Sequence, residues 1–165
     1  MDKIKVEKSG IHATGVFAAQ DIPKGKVVIE YIGEKISKDE SNRRLEASLE
    51  ELPGSCGEGA VYIVDLDDEH DLDGDVADNP AKYINHSCDP NCEMEIRDGR
   101  VFFRSLRDIK TGEELSFNYG YGIEDSETEE DLEDFKCNCG SPKCVGYMID
   151  ESEWPKLKEL LAKKK

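Results

Sequence analysis

Cys137-Asn138-Cys139-Gly140-Ser141-Pro142-Lys143-Cys144 constrains this chain more than any other stretch. It gathers three thiols near the C-terminal end, whereas a closed tetrahedral metal site takes four protein ligands. If the cluster binds metal, the tail is complete only when it folds back onto a distant part of the chain. Cys88, Cys92, Cys56 and His86 are the candidates for the missing ligand. Cys88, His86 and Cys92 stand together in Asn85-His86-Ser87-Cys88-Asp89-Pro90-Asn91-Cys92, a run with an amide, an imidazole, a hydroxyl and two thiols around a Pro turn. If Cys88 is used, the metal is a fastener between two remote stretches, not a catalyst. An aromatic run, Phe117-Asn118-Tyr119-Gly120-Tyr121-Gly122, lies between the two cysteine segments.

Metal is the favoured use of these cysteines because of the compartment the rest of the chain implies. No apolar run is long enough to span a membrane, and the first residues are too charged for a secretory signal. An intracellular protein is expected, where thiols stay reduced. Free buried thiols and disulfides are the weaker alternatives. With 165 residues the length favours one domain with a modest core and a small appended lobe.

A formal charge of -16 excludes generic nucleic-acid binding, which needs a basic stripe, and favours a basic partner. Much of the charge falls in two acidic runs, 65–78 and 124–134, each read as a solvated loop, the second as a flexible connector. The first is not a calcium loop. Asp71-Leu72-Asp73-Gly74-Asp75 has its Gly two positions early, and Lys82 stands where the closing Glu belongs.

Local patterning predicts a β-rich chain. β-Branched runs at 4–6, 16–18, 27–32 and 61–66 read as strands, punctuated by Gly10, Gly15 and Pro23-Lys24-Gly25. Ser37-Lys38-Asp39-Glu40 is a capping-box signature, and Leu45, Leu49 and Leu52 follow at helical spacing, predicting a helix over 38–52. A short helical turn is expected at 79–84. Asp98-Gly99 between two apolar runs is a strong hairpin signal. A last strand is expected over 115–119. An amphipathic helix from 153 would carry Trp154, Leu157 and Leu161.

Several of these segments together resemble one family. Asn85-His86-Ser87-Cys88 with Pro90-Asn91-Cys92, Gly112-Glu113-Glu114-Leu115-Ser116-Phe117-Asn118-Tyr119, and Cys137-x-Cys139-x4-Cys144-x-Gly146-Tyr147 look like the SET-domain protein lysine methyltransferases with a post-SET zinc segment. Gly10-Ile11-His12-Ala13-Thr14-Gly15-Val16-Phe17-Ala18, Glu30-Tyr31-Ile32-Gly33-Glu34, Tyr62-Ile63-Val64-Asp65-Leu66-Asp67 and Asn79-Pro80-Ala81-Lys82-Tyr83-Ile84 match further family segments in order. The resemblance covers roughly residues 4–148. Two departures stand out. Ala13 replaces the first Gly of the family's first loop, and Lys82 stands where Arg is common. The subclass that depends on a cysteine-rich module before the domain is not expected.

The resemblance implies a mainly β fold of small curved sheets with a knot-like C-terminal segment, an inserted helix, a zinc-bound segment and a C-terminal helix. It divides the chain into a SET domain over 1–123 with an inserted region at 37–78, a connector and zinc segment over 124–148, and a helix over 149–165. It implies methyl transfer from S-adenosylmethionine to a lysine amine, with Tyr119 catalytic. Phe117, Tyr62, Tyr31 and Tyr121 would line the lysine channel. Thr14, Gly15, Val16, Tyr31, Asn85, His86, Tyr119, Phe135 and Asn138 would contact the cofactor. Cys88, Cys137, Cys139 and Cys144 would hold a structural zinc. Phe117 occupies a product-switch position, and its lack of a hydroxyl implies di- or trimethylation. The substrate would be a basic protein segment such as a histone-like tail, with no direct nucleic-acid or membrane partner. The compartment would be the nucleus or chromatin in a eukaryote and the cytoplasm in a prokaryote. The alternatives are a catalytically silent SET module that binds or scaffolds, and a zinc-stabilised interaction domain without cofactor.

Overall fold

The computed structural model describes residues 3–51, 62–124, 128 and 131–162. Cys56, Val61 and Leu52 lie outside them. The chain runs through β1 (Ile4–Lys8), β2 (Thr14–Ala18), β3 (Val27–Tyr31), β4 (Glu34–Ser37), α1 (Lys38–Glu51), β5 (Ile63–Asp65) and β6 (His70–Asp73). It continues through β7 (Asn85–His86), β8 (Cys92–Arg97), β9 (Arg100–Ser105), β10 (Ser116–Phe117) and α2 (Trp154–Ala162). Small sheets pair as β1-β2, β7-β10, β3-β9-β8 and β4-β6-β5. This is the mainly β architecture with two helices that the sequence implies.

The β8-β9 hairpin forms because Asp98 and Gly99 take φ of 51° and 70°, the left-handed pair of a two-residue turn whose twist suits antiparallel strands. α1 begins where Ser37 Oγ accepts the Glu40 N–H at 3.2 Å. Only half of the predicted capping box is made. The Glu40 carboxylate turns forward to Arg44 Nε at 2.8 Å, because a charged partner outbids the cap N–H.

The acidic run 65–78 corrects the loop expectation. It contains β6, the central strand between β4 and β5. Leu66 and Leu72 are buried in the main core, while acids beside them meet bases from β4 and α1. Lys38 Nζ lies 2.7 Å from Asp71, and Arg44 pairs with Asp73. Paired carboxylates on a half-buried strand imitate a polar loop in sequence. The described end of the connector is also ordered: Asp131–Phe135 forms a 3-10 turn, with Leu132 fully buried. The strand expected at 115–119 shortens to β10, because Asn118 bends the chain. Its Oδ1 accepts the Gly120 N–H at 3.0 Å and its Nδ2 donates to Asp150 at 3.0 Å.

Two apolar clusters result. The larger joins Val16, Ile84, Val101, Phe103, Ile109 and Leu115, and the smaller joins Ile123, Leu132, Ile149 and Leu157. Each such side chain contributes about 1.5–3 kcal/mol on burial. Among the described residues no helix is long and apolar enough to cross a membrane.

Candidate active site and metal centre

β7 and β10 run parallel, with Asn85 opposite Ser116 and His86 opposite Phe117. This short ladder joins two motifs that are remote in sequence. Ser87 N extends it, donating to Phe117 O at 3.0 Å. Asn91 staples it, because its Oδ1 accepts Ser116 N at 2.9 Å and its Nδ2 donates to Glu114 O at 2.8 Å. Asn91 is buried, so both bonds are made away from water. This stapling role is not legible in sequence, where an Asn after Pro resembles a turn residue.

Asn85 holds the first loop. Its Nδ2 lies 3.0 Å from Thr14 O and 2.8 Å from Glu114 Oε1, and Ser9 Oγ donates to the same carboxylate oxygen at 2.6 Å. A Cβ at Gly15 would stand 2.4 Å from that oxygen, so a side chain there would push the Glu114 carboxylate off its bonds to Asn85 and Ser9. Ala13 carries the loop through φ 33°, a left-handed conformation. Nothing in the motif order marks Ser9 and Glu114 as partners; only the tertiary fold brings them together. Val16 lies wholly in the core, with its carbonyl accepting Leu115 N at 2.7 Å.

An aromatic chain runs from the core to the tail. Phe117 stands 4.8 Å from Phe103 and 4.9 Å from Tyr119; Tyr119 lies 5.9 Å from Tyr121; Tyr121 lies 5.0 Å from Phe135. The Tyr119 hydroxyl donates to Ile84 O at 3.3 Å, and burial holds its pKa above the ordinary tyrosine value. It is therefore a protonated phenol at neutral pH and no base. Tyr31 belongs to the core, with its hydroxyl donating to Tyr62 O at 2.6 Å. Tyr62 is half-buried beside Tyr83, and Lys82 Nζ sits 5.1 Å and 5.3 Å from the two ring centres while pairing with Asp75 at 2.8 Å. Asn138 is exposed between Cys137 and Cys139.

His86 is almost fully buried, and desolvation pushes its pKa down to about 4. Its Nδ1 accepts Tyr119 N at 3.2 Å, and its Nε2 lies 3.6 Å from Cys88 Sγ. The side chains of both motif residues, Asn85 and His86, are thus committed within the protein.

The sulfurs of Cys88, Cys137, Cys139 and Cys144 lie within 4.8 Å of one another. Zinc bound tetrahedrally at ~2.3 Å separates its sulfurs by roughly 3.8 Å. Cys88 and Cys137 stand 3.8 Å apart. The donor set and spacing fit such an ion. Backbone N–H groups already face the sulfurs, Cys139 N to Cys137 Sγ at 3.5 Å and Gly146 N to Cys144 Sγ at 3.4 Å. Burial pushes the Cys88 thiol up to about 11. Burial also opposes ionisation of Cys139, but hydrogen bonds from the Cys88 and Ser141 backbones and from the neighbouring thiols outweigh it, pulling Cys139 down to about 7. A divalent cation would let all four ionise together. Cys92 stands apart from the cluster, a core thiol raised to about 12 by burial.

Residues 13–120 match the SET domain. Histone-lysine N-methyltransferase 2D of Homo sapiens is 34% identical over 151 residues, covering 89% of this chain and 2% of that protein. Histone-lysine N-methyltransferase trr of Drosophila melanogaster is 37% identical, with coverage of 89% and 6%. Histone-lysine N-methyltransferase set1 of Dictyostelium discoideum is 35% identical over 146 residues, with coverage of 86% and 9%. The chain thus spans less than a tenth of each relative's length. With the matched region covering most of the chain, and the β7-β10 ladder and cysteine cluster inside one fold, this chain belongs to the SET-domain family.

Proposed function

We propose that this chain is an S-adenosylmethionine-dependent protein lysine N-methyltransferase acting on a basic protein segment such as a histone-like tail. The carrying observation is the parallel β7-β10 ladder, which sets Asn85-His86 beside Phe117 and leads directly into Tyr119. When bound, the cofactor supplies a methyl group on a sulfonium. Thr14 and Gly15 would meet it through the backbone loop that Asn85 and Glu114 hold, and Asn85 and His86 through their main-chain groups. Val16, being buried, would contribute only main chain. Phe135 and Asn138 would approach it from the zinc segment.

A free lysine is deprotonated at pH 7 only at a cost of ~4.6 kcal/mol. An apolar aromatic channel and an adjacent sulfonium both lower that cost. Phe117, Tyr62 and Tyr121 would form this channel, with Tyr31 bracing Tyr62 from the core. The Tyr119 phenol would orient amine and methyl in line without taking the proton, and alignment would supply much of the rate. Phe117 leaves the channel free of a hydroxyl, which favours di- and trimethyl products. Zinc at Cys88, Cys137, Cys139 and Cys144 would fasten segment 124–148 over a SET domain extending to 123, with the helix of 149–165 outside both. A histone substrate would place the chain in the nucleus.

Labelled S-adenosylmethionine is mixed with purified histones and with a lysate, beside Tyr119→Phe. Label on protein lysine that is lost in the variant supports the enzyme. A second reading, a silent module that binds basic segments, draws on the strained Ala13. It predicts cofactor binding without transfer, and absent binding would sink both.

A further inference from the structure

The His86 ring stands between two groups from separate segments of the chain. On one side is the backbone N–H of Tyr119, 3.2 Å from Nδ1. On the other is Cys88 Sγ, 3.6 Å from Nε2. A backbone N–H only donates, so Nδ1 must be the bare nitrogen, and the single proton of the neutral ring sits on Nε2. Nε2–H therefore aims at the Cys88 sulfur. The ring is 3% exposed and packs edge-on against Tyr119 at 5.3 Å and 74°, so it has no room to turn away.

Cys88 Sγ also lies 3.7 Å from Tyr147 O and 3.8 Å from Cys137 Sγ, and the Val145 backbone hydrogen-bonds to it. The carbonyl can only accept, so that contact requires Cys88 to be a thiol. A metal-bound thiolate has no proton to give and becomes an acceptor. Loading the cluster thus withdraws the Tyr147 bond and strengthens the one from His86. In Cys137 and Cys144 the corresponding donors are backbone N–H groups of the cysteine segment itself. For Cys88 the Val145 backbone supplies such a bond too, and His86 on β7 adds a donor from outside that segment.

We propose that His86 is a positioning residue that couples the metal centre to Tyr119: Nε2–H donates to the metal-bound Cys88 thiolate while Nδ1 holds the Tyr119 backbone. The state of the cysteine cluster then sets where the Tyr119 hydroxyl stands, beyond merely fastening the tail. This rests on reading the cysteines as a zinc site and Tyr119 as the catalytic tyrosine.

Two substitutions separate the two arms. His86→Asn keeps an oxygen near the Nδ1 position and reaches nothing at Cys88. His86→Gln carries an N–H toward Cys88 and offers Tyr119 no acceptor. By chelator competition, His86→Asn should hold zinc ~10–100-fold more weakly than the wild-type chain, the usual loss when a hydrogen bond to a ligand is removed. His86→Gln should hold zinc as the wild type does, yet lose kcat at unchanged KM for peptide. In case either variant misfolds, the wild-type chain loaded with cadmium gives an independent reading. Imidazole nitrogen shifts should report an Nε2–H tautomer, with cadmium coupled through the sulfur to that proton. Equal zinc affinity in wild type and a folded His86→Asn, or an Nδ1–H tautomer, overturns the proposal while leaving the zinc site standing. A wild-type chain that retains no zinc instead removes the zinc reading and the coupling with it.

Discussion

Ala13 holds its backbone at φ 33°, where a Cβ crowds the following carbonyl at a cost of ~1–2 kcal/mol. Gly escapes that clash but adds up to ~1 kcal/mol of unfolded-state freedom. Relief exceeds the loss, so Ala13→Gly should stabilise the fold by about 0.5–1 kcal/mol and raise Tm by about 2 °C. A Tm that stays or falls on calorimetry would mean the loop carries no strain. Phe117 carries the other prediction at this scale. Its half-buried ring touches Phe103 and Tyr119, so a hydroxyl added in Phe117→Tyr enters space the substrate amine would use. Mass spectrometry of a methylated peptide should shift from di- and trimethyl toward monomethyl product. An unchanged distribution reduces Phe117 to packing. That the segments of Asn85 and Tyr119 meet is legible from their contiguous motifs, and the β7-β10 ladder brings them together. The pairing of Ser9 and Glu114 is not legible, since their hydrogen bond spans the chain and neither residue type is unusual in a loop.

At the level of elements, legibility followed whether the signal was local. The β8-β9 hairpin announces itself through Asp98-Gly99, whose backbone demand is met within two residues. β6 was hidden because its acids are neutralised by Lys38 and Arg44, which arrive from α1. The small lobe gives the test here. Leu157 of α2 is 2% exposed against Ile123, Leu132 and Ile149, so Leu157→Ala should cost about 2–5 kcal/mol of local stability. Removing zinc with a chelator should loosen the same lobe. Amide exchange over 131–149 should quicken in both cases while β3-β9-β8 stays protected. Uniform quickening across the chain would mean the lobes unfold as one. Asp21 makes a separate link, accepting from Thr111 N at 3.0 Å and Lys110 Nζ at 2.9 Å. Hydrogen bonding from Lys110 and Thr111 lowers its pKa from 3.8 to about 2. A carboxyl lowered on folding contributes stability above its unfolded value and loses it as pH falls from 3.8 to about 2. Its carboxyl carbon shift should titrate near the lower value, and a midpoint near 3.8 would break the link.

At the scale of the whole molecule, a charge of -16 acts on the fold and on the substrate in opposite directions. Like charges repel across the compact state, and salt relieves that repulsion. The exposed ion pairs, each contributing about 0–1 kcal/mol, weaken in salt, but the self-repulsion of a chain at -16 is relieved more. Added salt should therefore raise Tm. The same field would draw the proposed basic peptide toward the site, and its reach shrinks from ~10 Å at 0.1 M salt to ~3 Å at 1 M. Over that range kcat/KM for a lysine-rich peptide should fall about 10-fold or more, within the span that electrostatic steering supplies. The turnover number at saturation should hold, because steering acts on encounter and not on the bound complex. A neutral peptide with a single lysine should lose far less. Opposite slopes for Tm and kcat/KM separate steering from general inactivation by salt, which would lower both. If the neutral and basic peptides respond alike, the acidic surface serves solubility alone, and selection of the substrate rests on contacts at the channel mouth.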